Sequence, residues 1–182
     1  MNGRLRRARW WAVWIGLFLV PMAYAHRPKP ALFGVLLVSA TRPALEQALL
    51  RAHMTLKQGG AHRWYDVYNV NGALKNASIL AVSFTQHGRF AEARYVFPSF
   101  ISTKRMGQVL AMVQAKYGPP TAMVGSLDIG AVHALWKLPQ TFEIIVKRRW
   151  PNPTTFMVIK NRTMFSRMKQ EQKEAIAQSG AF

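Results

Sequence analysis

The chain has 182 residues and a mass of 20.6 kDa; half of it is apolar, Lys and Arg number 25 against seven Asp and Glu, and Cys is absent. That apolar content excludes a disordered basic tail. The missing Cys excludes disulfides, zinc–thiolate sites and a thiol nucleophile.

The first element is an address. Arg4, Arg6, Arg7 and Arg9 precede an apolar run from Trp10 to Val20, then Pro21 and the small-x-small triplet Ala23-Tyr24-Ala25. A positive start, an apolar stretch and a small-residue site are the three parts of a secretory signal peptide, predicted over residues 1–25. The apolar stretch falls short of the roughly 20 residues that a comfortable membrane span needs. Left uncleaved, the same segment would anchor the chain in the inner membrane. Cleavage after Ala25 would remove four arginines and leave a charge of about +14, which suits an anionic partner or simply reflects an Arg-rich composition. The expected location is periplasmic or secreted, in a bacterial envelope.

Residues 26–162 are of a size for a single α+β domain, followed by a polar C-terminal helix or tail over 163–182. The pattern predicts a short buried strand over 31–39. Thr41 then caps a helix over 42–53 that has Pro43 in its first turn. Residues 63–70 are aromatic and β-branched and end at Asn71-Gly72, a strong turn signal. Strands follow over 78–85 and 89–97 about a turn at His87-Gly88. In the second strand Ala91, Ala93, Tyr95 and Phe97 share one face, while Glu92 and Arg94 take a wet one.

Ser102 or Thr103 caps the clearest helix. Met106, Val109, Leu110, Val113 and Tyr117 form one stripe, and Gly118-Pro119-Pro120 ends it. A loop and strand over 123–138, strands over 141–150 and 154–160, and a polar helix over 163–178 complete the reading. The fold class is α+β, an antiparallel sheet with helices packed on one face.

Residues of about 33–98 and 100–160 share an order of capped helix, loop and strands at an offset of roughly 60 residues. This order reads as an internal duplication, or as the ordinary helix-then-hairpin order of an α+β chain. Two tandem helix-plus-hairpin repeats with the joint Lys116-Tyr117-Gly118-Pro119-Pro120 resemble the BamE-like assembly lipoproteins and the β-lactamase-inhibitor-protein class. The resemblance covers topology only. It implies a fold that acts by binding other proteins and carries over no functional residue. The lipobox cysteine of the lipoproteins is missing here.

Catalytic constellations are sparse. The acids form no local pair outside the C-terminal Glu171 and Glu174. Asp66, between Tyr65 and Tyr68, reads either as an acid in a cleft or as the partner of a basic side chain. His26, His53, His62, His87 and His133 show no metal-ligand spacing, and no nucleophile elbow or phosphate loop appears. No enzyme activity, cofactor or metal site is therefore expected. A mature N-terminus at His26 would pair an α-amine with an imidazole, so a copper carrier or small exported hydrolase is a third reading.

The candidate contact residues are the aromatics Trp64, Tyr65 and Tyr68 and the basic stretch Lys147, Arg148, Arg149 and Trp150, with Trp136, Lys137 and Lys160 on neighbouring strands. Alternation places Lys147 and Arg149 on one face and Arg148 and Trp150 on the other. The first expectation is a non-enzymatic protein that contacts another envelope protein through a sheet face. The alternative partner is an anionic envelope polymer, a lipid surface or nucleic acid, the last disfavoured by export.

Overall fold

The computed structural model describes residues 28–60, 64–99 and 104–180. The leader, His26, His62, Arg63 and the caps at Ser102 or Thr103 lie outside the described residues.

The elements, in chain order, are β1 (Ala31–Leu32), β2 (Val35–Leu36), α1 (Arg42–Arg51), β3 (Thr55–Gln58), β4 (Tyr65–Asn69), β5 (Ile79–Phe84) and β6 (Phe90–Phe97). Next come α2 (Lys104–Tyr117), β7 (Ala122–Val124), β8 (Val132–Lys137), β9 (Phe142–Arg148), β10 (Thr155–Asn161) and α3 (Arg162–Gln178). β1 and β2 form a small hairpin, and the other eight strands form one sheet in the order β3-β4-β5-β6-β10-β9-β8-β7. Every pairing in it is antiparallel. The architecture is α+β.

Helix plus four-strand meander occurs twice, and the second copy runs back from the first. The fourth strands, β6 and β10, pair with each other in a register from Thr155↔Phe97 to Lys160↔Glu92. Each meander alone would leave this long strand as an open edge. Pairing the two puts them at the sheet centre and leaves the short β3 and β7 outermost.

One sheet face carries the core. Tyr68, Leu80, Tyr95, Met157, Val146 and Ala134 line up across six strands, and Val82, Ala93, Ile159, Ile144 and Trp136 form the next row. All are buried against Leu45 and Leu49 of α1 and the stripe Met106, Val109, Leu110, Val113 and Tyr117 of α2. The predicted α2 stripe is thus the buried one. Gly118 ends that helix at φ +76° and accepts a 2.8 Å hydrogen bond from Trp136 Nε1. A left-handed terminal residue favours Gly because it has no Cβ to clash.

The turn expected at Asn71-Gly72 forms, both residues having positive φ and Ala73 N donating to Val70 O at 3.0 Å, before a longer loop leads into β5. Two local expectations change. The strand expected over 31–39 is broken by a turn at Phe33-Gly34, both with positive φ, giving the β1–β2 hairpin. In β6 the register shifts opposite Ser83/Phe84, so Ala91 leaves the expected alternation.

The C-terminal helix docks rather than trailing as a tail. Asn161 Oδ1 caps it by accepting from Met164 N at 3.1 Å. It packs on β5, β6 and β10. Its face is the one opposite α1 and α2, where Lys160 Nζ lies 5.0 Å from the Phe165 ring centre. Met168 is buried there, and Glu171 accepts from Gln86 N at 2.7 Å. This covers one end of the strand face expected to be wet, including Glu92.

An ion pair fixes α1. Arg42, its first residue, donates from Nε to Asp66 Oδ2 at 2.8 Å and from Nη2 to Asp66 Oδ1. Two parallel donors match the carboxylate fork. The pairing raises the Arg42 pKa, led by that hydrogen bonding. Asp66 is therefore a structural acid. A Cβ on Gly59 would collide with its Oδ1. Asp66→Ala would leave the half-shielded guanidinium without its carboxylate and should lower unfolding free energy by about 3 kcal/mol in urea titration. Arg51→Ala, which removes an exposed guanidinium that donates to Gln47 O at 3.3 Å, should change it by about 0.5 kcal/mol or less.

Candidate functional site: the open half of the second sheet face

Strand register sets the chemistry of the face opposite α1 and α2. One row across it reads Tyr65, Ser83, Glu92, Lys160, Glu143 and Lys137. Here charges alternate, and Lys160 pairs with Glu143 at 2.7 Å. α3 crosses the middle of this row. The next row reads Val67, Ala81, Arg94, Val158, Ile145 and Leu135. The third, farthest from α3, runs over the whole sheet as Thr55, Asn69, Ile79, Val96, Phe156, Lys147, His133 and Val124.

The middle of this outer band, Ile79, Val96, Phe156 and Lys147, is half-buried, an apolar stretch with a cation set beside it. Arg94, Lys147, Arg149 and Phe156 enclose a shallow cavity of about 100 Å³. Arg94 donates to Glu92 at 2.7 Å. Lys147 and Arg149 form no ion pair with an acid among the described residues. Partial burial lowers the Lys147 pKa most, and the nearby Arg94, Arg149 and Lys160 charges lower it further against the pull of Glu92. Like charges held together against an apolar floor are a cost that an incoming anion would relieve.

The candidate contact residues separate. Lys147 and Arg149 come together on this face. Tyr65 is 42% exposed at its far side, where Gln58 Nε2 lies 3.5 Å from its hydroxyl. Trp64 is half-buried just before β4, and Trp150 is 56% exposed just beyond β9.

Tyr68 and Arg148 are corrections, because both point into the core face. Tyr68 is sealed beneath α1, and burial pushes its phenol pKa well up. Arg148 is 2% exposed and donates to the carbonyls of Gly130, Leu127 and Ser126 at 3.0, 3.1 and 3.0 Å. It pins the β7–β8 loop, where a Cβ on Gly125 would strike Ala131 O. Trp136 likewise belongs to the core. Lys137 and Lys160 lie on the α3 side beside Glu143.

Arg94 and Phe156 complete the cavity, and the sequence reading missed both. The wet-face assignment of Arg94 pointed toward the face, but its closeness to Lys147 depends on the β6–β10 pairing. Among the described residues no three His, Asp or Glu side chains gather as a metal site. No helix among them is long and apolar enough to cross a membrane.

No family model and no curated protein matches this chain. A solved structure of a DUF4309 family protein (YjgB) from Bacillus subtilis is similar at 14% identity, with a TM-score of 0.45, over 70% of this chain and 82% of that one. Likeness at that level identifies neither a family nor an activity.

The two neighbouring cations should respond oppositely to substitution. Arg148→Met should strip the loop carbonyls of their donors and lower stability by about 2 kcal/mol. Lys147→Met should raise the thermal midpoint. The folded pKa of Lys147 lies below its unfolded value, so its proton costs stability at neutral pH, and the cost is relieved as pH rises through the folded pKa toward 10.5. The stability gain of Lys147→Met should therefore shrink at alkaline pH, read by thermal melts across the pH range.

Proposed function

We propose that this chain is an exported, non-enzymatic binding protein of the bacterial envelope that contacts an acidic partner protein through the outer band of its second sheet face. The observation that carries the reading is the pairing of the Lys147 and Arg149 charges with the apolar Phe156, Val96 and Ile79 along adjacent strands. An apolar floor with inset cations suits a protein surface that offers carboxylates around apolar side chains. The leader pattern of residues 1–25 supports export.

A second reading is direct binding of an anionic polymer or lipid surface, favoured by the Lys147–Arg149 cation pair itself. The two differ in salt response, because binding through phosphates or carboxylates alone falls steeply with ionic strength.

A photo-crosslinking amino acid at position 156 in living cells tests the first reading. It should give one discrete protein adduct, whereas the same group at exposed Gln114 on α2 should give none. Lys147→Gln with Arg149→Gln should reduce the adduct several-fold. Absence of a protein adduct, with salt-sensitive binding to anionic vesicles lost in the double variant, would favour the second reading.

A further inference from the structure

A separate cavity lies on the core face, between the two repeats. It measures about 280 Å³ and opens between α2, the β1–β2 hairpin and the central strands. Leu32, Phe33, Leu74, Met112, Met157 and Ile159 make its walls apolar. A void of this size forfeits packing that a larger side chain could supply.

Three polar groups stand in this apolar lining. Tyr95, on the central strand β6, is 2% exposed and lines the cavity. Burial alone raises its phenol pKa, so it remains a neutral donor. Tyr117 also lines the cavity. Lys116 is exposed, with its ammonium 5.3 Å from the Tyr117 ring centre, so it supplies a cation at the open side.

From these features we infer that the cavity binds a single-chain amphiphile with an anionic end, of the fatty-acid class, its apolar chain against Met112, Met157 and Ile159 and its carboxylate toward Lys116. The chain displaces water from apolar walls, and the carboxylate takes the one cation of the lining. Methionines in the wall suit a ligand of variable shape, because the thioether side chain is flexible. The site is on the opposite side of the sheet from the proposed protein contact, so either can stand without the other.

Laurate, lauryl alcohol and a lauryl ammonium salt, each titrated calorimetrically below its micelle concentration into the full chain, test the assignment. Laurate should bind saturably at one site and more tightly than the alcohol, with the ammonium salt weakest. Lys116→Gln should weaken laurate about tenfold and leave the alcohol unchanged. Met112→Trp, at a half-exposed wall position, should abolish binding of both while the thermal melt stays cooperative. No saturable binding of laurate would overturn the inference. So would laurate affinity equal in the parent chain, Lys116→Gln and Met112→Trp.

Discussion

The pairing of β6 with β10 is the constraint on which the rest depends. Both strands are long and rich in apolar residues, so each half would otherwise present a wide sticky edge. Joining them antiparallel makes one sheet and lets α1 and α2 share a common core. It also fixes which side chains share the opposite face. Arg94 comes from the first half and Lys147 from the second, and only this seam brings them to one cavity. A one-residue slip of β6 against its neighbours would exchange Tyr95 for Arg94 in the core.

Charge in this protein does two different jobs. Arg42 and Arg148 are structural: one is held by a carboxylate fork and the other by three backbone carbonyls. Lys147 and Arg149 have no such partner among the described acids, and their mutual repulsion is borne by the fold. Burial separates the two groups, since consecutive residues of one strand face opposite sides. The stretch Lys147-Arg148-Arg149 is thus one basic run in the sequence and two unrelated features in space.

Much of the fold was legible because its signals are periodic. The α2 stripe, the Gly118 stop and the strands β5, β6, β8, β9 and β10 follow from spacing alone. β3 and β7 escaped because they are short, exposed edge strands with no alternation to read. The docking of α3 escaped because only Met168 of that polar helix is fully buried. The site was half legible. Lys147 and Arg149 were found from their charge, but Tyr68 looked like a surface aromatic until its strand register turned it inward. Phe156 and Arg94 needed the seam, a contact between strands far apart in sequence.

The central claim is that the outer band of the second face is open in the isolated protein and covered in its working state. The chain has no cysteine, so a single introduced thiol reports access without background. Maleimide labelling of a Phe156→Cys variant should be fast in purified protein and several-fold slower in intact cells, while Val146→Cys, on the core face and away from the cavity, should resist labelling in both. Equal labelling of Phe156→Cys in cells and in purified protein, or ready labelling of Val146→Cys in the folded chain, would contradict the account.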